Sequence, residues 1–340
     1  MYNYDCTKYL KMEKIMIEIK EPIPQFFKNF LTYTETIKGK STNTVNEYYY
    51  DLRLFLKYIA LFKQPIWNLE KLHDMDISII TIDDIKSIDL QYLIDYMSFC
   101  QNQLHNSPST RCRKTASIKS FFNYLKNKVN LIEINPASEL ESPKIKERLP
   151  KYFNVEECVE LLNVVDGKYK ERNYCILTFL LNCGLRLSEL VLINIENISN
   201  DKLFVIGKGD TERTIYLNDS CLYALGNYLN VRPIIKSTPS PLFLSERKTR
   251  ISKRMVQTII KNYIKQAGLT NKKYTTHSCR HTTATLLYQN GTDINTLKEI
   301  LGHKHISSTT IYAHVHNQQK KDAMKNNPLA DIKNKNKTPK

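Results

Sequence analysis

The chain has 340 residues, 41% of them hydrophobic and 25% charged, and its 50 Lys and Arg against 34 Asp and Glu give a formal net charge of +16. That length exceeds what one ordinary core organises and predicts two domains, while the charge favours a polyanionic partner, because a basic protein gains free energy by releasing counterions from nucleic acid. Eight cysteines without a C-x-x-C pair argue against a zinc site or a disulfide framework, and the lack of a signal-peptide core or a bilayer-length apolar run predicts a cytoplasmic protein.

Residues 1–22 read as a polar leader in which Met12 and Met16 are alternative translation starts. Segment 23–39 has helical apolar spacing and ends at Gly39, a helix-stop residue. Ser41 is placed to cap a helix over 42–62, where Tyr49, Leu52, Leu56 and Ile59 recur at three- and four-residue intervals. Asp83 or Asp84 is expected to open a helix carrying Leu90, Leu93 and Met97, and Ser107-Pro108 one carrying Ile118, Phe121, Phe122 and Leu125. The result is a four-helix unit over 23–132. Lys38, Lys40, Arg111, Arg113, Lys114 and Lys119 cluster near its helix starts, where cationic side chains and free N–H groups can meet DNA phosphates. Three prolines and mixed charges mark 133–153 as an interdomain linker.

From 154 the pattern is mixed. Asn154 caps VEECVELLNVV, and a second helix covers ERNYCILTFLLNC until Gly184 stops it. The runs VLINIENI, KLFVIGKG and ERTIYLN read as strands, the last two joined by hairpin residues at Gly207-Lys208-Gly209-Asp210. Later helices break at Asn290-Gly291 and at Gly302. The expectation for 154–331 is a mainly α domain with a small antiparallel sheet, followed by a disordered basic tail over 332–340.

Four short segments carry chemistry: GLRLSEL (184–190), IGKGDTERTIYL (206–217), THSCRHTTATLL (276–287) and LGHKHISSTTIYAHV (301–315). Cutting a phosphodiester without metal needs another means of neutralising a pentacoordinate transition state, and guanidinium forks match two phosphate oxygens at once. Arg186 and Arg280 are the candidates, with Glu189 placed to orient Arg186. His277 and Arg280 sit at i and i+3 on a helix that Thr275 or Thr276 can cap, so both project from one face. His303 follows the Gly302 break, and Tyr312 stands nine residues later on a helix that Ser307 or Ser308 can cap. With a reference pKa near 10, tyrosine is about 0.1% ionised at neutral pH, a deficit of roughly 4 kcal/mol, so its proton must leave during attack. The pairs His303/His305 and His314/His316 match no zinc-ligand spacing.

In their order and local contexts these segments resemble the catalytic domain of the tyrosine recombinases, the phage integrases and Xer proteins, and KGKSTNTVNEYYYDLRLFLKYI and SPSTRCRKTASIKSFFNYLKNK resemble the core-binding domain that precedes it. The resemblance runs over about 23–331. It implies the DNA breaking-rejoining fold and a catalytic set of Arg186, Lys208, His277, Arg280, His303 and Tyr312, with Lys208 as general acid for the leaving 5′ oxygen. It also implies a 3′-phosphotyrosyl intermediate without metal, ATP or cofactor, and four protomers on two double-stranded DNA sites exchanging strands through a Holliday junction. The lack of an arm-binding domain favours the two-domain Xer-like class, in chromosome dimer resolution or mobile-element integration. A departure is Lys304-His305, charge beside His303 where the family often has small polar residues. The alternative is a catalytically silent DNA-binding protein on the same fold.

Overall fold

The structure, a computed structural model, describes residues 21–63, 69–145, 150–207, 212–235 and 238–302. Two separate apolar cores organise it, and the chain divides between Glu147 and Arg148.

In the first unit, α1 (Gln25–Thr32) buries Phe27, Phe30 and Leu31 and runs on as a π-turn over Tyr33–Ile37 before Gly39, at φ +56°, turns the chain. Helix α2 (Thr42–Phe62) follows Ser41, whose hydroxyl meets the Thr44 hydroxyl at 3.0 Å rather than a backbone N–H. Asp83 and Asp84 do not open the helix of Leu90, Leu93 and Met97. They belong to a short α3 (Ile82–Lys86) capped by Thr81, which exchanges bonds with Asp84. The longer helix is α4 (Leu90–Asn102), and its cap is Asp89, which accepts from the Tyr92 N–H at 2.8 Å. Helix α5 (Pro108–Asn127) starts as expected, with Ser107 accepting from the Thr110 N–H and proline in the first turn, where its missing N–H costs nothing. Its Phe121 stands edge-on to Phe27 and Phe30, the favoured arrangement for rings of opposed edge and face charge. Residues of the expected linker also enter this core, with Ala137 and Leu140 buried in it.

The second unit begins with α6 (Val155–Asn163), capped by Asn154 and Glu157 in reciprocal bonds of 2.7 and 2.9 Å. Helix α7 (Lys170–Asn182) is buried along most of its length and stops at Gly184, φ +58°. The run VLINIENI is not a strand: its first residues finish α8 (Leu187–Leu192), the next form a 3₁₀ turn over Ile195–Asn197, and only Ile198 reaches the sheet. That sheet is antiparallel in the order β1 (Ile198–Ser199), β2 (Lys202–Ile206), β3 (Glu212–Tyr216), with Val205 opposite Arg213. Then come α9 (Asp219–Val231), α10 (Lys253–Gln266), α11 (Thr276–Gln289) and α12 (Ile294–Leu301), the last ending at Gly302 with φ +63°. The architecture is mainly α with a three-stranded antiparallel sheet, as the spacing predicts. Among the described residues no helix is long and apolar enough to cross a membrane.

Candidate active site

Two left-handed glycines set the frame. At Gly184 a Cβ would come within 2.9 Å of Leu301 Cδ2 and 3.4 Å of Thr283 Cγ2, so the bend after α7 is pressed against α11 and the end of α12. Thr283 secures the same contact from α11, its hydroxyl donating to the Leu181 carbonyl at 2.8 Å. The bend leaves the Gly184 carbonyl facing Arg280, which donates to it from Nη1 at 2.6 Å and to the Leu301 carbonyl from Nη2 at 2.6 Å. Arg280 is buried, and these carbonyl bonds supply part of the solvation that burial removes.

Arg186 occupies the cap position of α8 with an extended backbone. Its Nη2 donates to the Gly302 carbonyl at 2.9 Å. The two arginines therefore grip consecutive carbonyls, Leu301 and Gly302, immediately before His303 in sequence. Glu189 accepts from Arg186 twice, at 2.7 Å from Nη1 and 2.8 Å from the backbone N–H. The Arg186 side chain is 31% exposed against 4% for Glu189, so the guanidinium keeps a face toward solvent while its carboxylate partner is enclosed.

A third guanidinium was not foreseen. Arg213 on β3 donates to both oxygens of Glu189, at 3.0 and 2.8 Å, and to the Ile300 carbonyl at 3.0 Å. The available signal was strand alternation, since Arg213 shares a face with buried Ile215. Burial by itself would push the Glu189 carboxyl up, but hydrogen bonds from Arg213 and Arg186, with the charge of Arg213, hold it down at about 2. Three guanidiniums against one carboxylate leave the cluster cationic, an arrangement suited to an anionic oxygen centre.

His277 lies one turn before Arg280 on α11 and is exposed; Thr275 begins the helix, its N–H donating to Ser278 Oγ at 3.1 Å. The neighbouring His281 is half-buried, and burial, then the charges of His277 and Arg280, lower its pKa. Arg186, Glu189 and Arg280 thus converge, with His277 on the Arg280 helix. Lys208, His303 and Tyr312 lie outside the described residues.

The basic residues of the first unit divide into two kinds. Lys38 and Lys40 are exposed, and partial burial followed by the charges of Lys40 and Lys128 lowers the Lys38 pKa. Lys114 is 5% exposed and reaches buried Asp51 at 3.3 Å. Arg113 pairs with Asp51 at 2.7 Å and with Glu47, while Ser117 also donates to Asp51. Lys119 donates to the Ser138 carbonyl at 3.3 Å, and Arg111 is half-buried with its Nε unpartnered.

Residues 151–319 match the model of the phage integrase family. A tyrosine recombinase XerC from Caldanaerobacter subterraneus subsp. tengcongensis is 47% identical over 310 residues, spanning 90% of this chain and 88% of that one. A tyrosine recombinase XerD from Listeria innocua serovar 6a is 32% identical over 305 residues, 87% and 96% of the two chains. Among solved structures, XerH site-specific recombinase bound to a palindromic difH substrate in a post-cleavage complex superposes with a TM-score of 0.66 at 22% identity, over 91% of this chain and 98% of that one. A lambda integrase dimer bound to a core site gives 0.64 at 13% identity, over 84% and 93%.

Proposed function

The chain belongs to the phage integrase family and is a Xer-like tyrosine recombinase, an enzyme of site-specific DNA recombination, and from that premise we propose how its own residues divide the work. Arg186 and Arg280 bind the non-bridging oxygens of the scissile phosphate and neutralise the charge that grows on them in the transition state. Tyr312 attacks phosphorus and becomes joined to the 3′ phosphate, while the 5′ oxygen leaves with a proton from Lys208. His277 and His303 hydrogen-bond the phosphate and help the tyrosine proton away. The phosphotyrosyl bond keeps the energy of the broken linkage, so a free 5′ hydroxyl reverses the step without ATP, metal or cofactor.

The observation that carries this reading is the convergence of Arg186 and Arg280 on consecutive carbonyls at the end of α12, one residue before His303. Two guanidiniums fixed by the same short stretch of backbone arrive at the phosphate already oriented, so little reorganisation remains for the reaction itself. The partner is double-stranded DNA, held by the first unit through Lys38, Lys40 and the solvent-facing parts of Arg111, Arg113 and Lys119, while Lys114, buried against Asp51, supports that face from within without meeting a phosphate. Four protomers assemble on two DNA sites. Such a substrate places the enzyme in the cytoplasm.

The test begins by recovering the DNA site from a randomised duplex pool through covalent capture on wild-type protein. A duplex carrying that site, nicked so that cleavage releases a short fragment, should then yield a protein–DNA adduct on a denaturing gel. Tyr312→Phe should bind the duplex within about threefold of wild type and give no adduct, because only the nucleophilic oxygen is gone. Adduct from the Phe variant would refute the assignment.

A further inference from the structure

Arg213 has three bonds to two segments besides its own strand, more than a surface residue on a hairpin needs. Its Nη1 and Nη2 meet the two oxygens of Glu189 in a fork, and Nε meets the Ile300 carbonyl. Its side chain is 11% exposed. A Cβ on Gly302 would lie 3.0 Å from Arg213 Nη1 and 3.2 Å from Cδ and Cζ, so the chain leading to His303 passes directly over this guanidinium because residue 302 has no side chain.

Each Glu189 oxygen is shared. Oε1 accepts from Nη1 of both Arg186 and Arg213, and Oε2 accepts from the Arg186 backbone N–H and from Arg213 Nη2. The carboxylate is a bridge whose orientation is fixed from one side by Arg213 and passed to Arg186 on the other. We propose that Arg213 is a positioning residue for strand cleavage: through Glu189 it sets the plane of the Arg186 guanidinium, and through Ile300 and Gly302 it sets the carbonyl that Arg186 grips.

This rests on the role of Arg186 proposed above. Both ends of the Arg186 guanidinium, Nη1 on Glu189 and Nη2 on Gly302, rest on groups that Arg213 touches. Without Arg213 the buried carboxylate keeps only its Arg186 contacts, can turn about its own bond, and loses the largest of the influences that oppose its protonation. A lysine cannot substitute, since a single ammonium lacks the planar fork that meets two carboxylate oxygens and a carbonyl in one geometry. The hairpin itself is attached at the same point, as Arg213 pairs with Val205 across the sheet three residues before Lys208.

The experiment uses full-length wild type, Arg213→Met, Arg213→Lys and Arg186→Ala on two nicked duplexes. One carries the ordinary scissile phosphodiester, the other a methylphosphonate there, in which a methyl group replaces one non-bridging oxygen, so that the linkage is neutral before attack and its transition state carries one negative charge fewer for the guanidiniums to neutralise. Single-turnover adduct formation, duplex affinity and thermal unfolding are measured for each protein. Both Arg213 variants should slow cleavage of the phosphodiester by about a hundredfold, the scale for loss of one oriented transition-state donor, with affinity within about threefold. On the methylphosphonate the same variants should lose less than about tenfold, matching Arg186→Ala. Equal losses on the two substrates, or an unimpaired Arg213→Lys, would overturn the positioning role. Should Arg213→Met fail to fold, the Lys variant decides. No adduct from wild type on the phosphodiester would instead strike at the proposed function itself.

Discussion

Replacing Glu189 by glutamine separates the charge of this bridge from its shape. A carboxyl held at about 2 in the fold and near its ordinary 4.5 in the unfolded chain contributes about 3 kcal/mol of stability at neutral pH. With its side chain 4% exposed, solvent screening takes little of that away. An independent route gives the same scale, since removing one partner from a buried ion pair costs about 3–5 kcal/mol. The amide also brings two hydrogens to a place where both oxygens now accept, so one donor would face another. The sign follows from the depressed carboxyl: its stabilisation is complete above the unfolded value and is lost as pH falls toward 2. Glu189→Gln should therefore be less stable than wild type by about 3 kcal/mol at pH 7, and about 2 kcal/mol of that difference should be gone at pH 3. Urea unfolding followed by circular dichroism at the two pH values measures it, with amide exchange in α8 and α12 locating the change. A penalty under about 1 kcal/mol at pH 7, or one that does not shrink on acidification, would refute the reasoning.

Other outcomes follow from neighbouring geometry. Gly184→Ala should destabilise the protein by about 2–3 kcal/mol, combining a left-handed backbone with a Cβ 2.9 Å from Leu301 Cδ2; it should also slow cleavage, because the Gly184 carbonyl holds Arg280. Urea unfolding and single-turnover rates check both, and a neutral effect on stability would contradict the packing described. Changing exposed Lys38 and Lys40 together to glutamine should flatten the salt dependence of DNA binding by up to about 1.8 in slope, read from affinity across a potassium chloride titration. Lys114→Met should cost stability, since it leaves Asp51 buried with fewer partners, while altering that slope little; the reverse pattern would show that the basic face is organised differently.

What could be read from the sequence was what local chemistry decides. Gly184 and Gly302 were legible as helix stops, and Ser107-Pro108 and Asn154 as helix starts, because each is settled within three or four residues. The helix of Leu90 was misplaced because Asp83, Asp84 and Asp89 are all competent caps, and the sequence does not say that Thr81 and Asp84 close a separate turn first. VLINIENI misled for a different reason: β-branched residues favour a pleated surface, yet here they pack as the end of α8 and a tight turn against Pro241 and Leu242. In the site, Arg186, Glu189 and Arg280 were visible through their segments. Arg213 was not, because its partners Glu189 and Ile300 stand 24 and 87 residues away. Lys114 read as one more surface cation because Asp51, 63 residues earlier, is invisible to any local window.

The distance along the chain between Arg186 and the carbonyl it grips has a bearing on how the enzyme is made. Arg186 finds that acceptor 116 residues further on, and Arg280 takes one acceptor from 96 residues behind it and one from 21 ahead. A ribosome releases Arg186, Glu189 and Arg213 well before residues 300–302 emerge, so these charged side chains wait without the backbone that orients them. Nascent and prematurely terminated copies that stop short of α12 carry every arginine and lack the Leu301 and Gly302 carbonyls that hold Arg280 and Arg186.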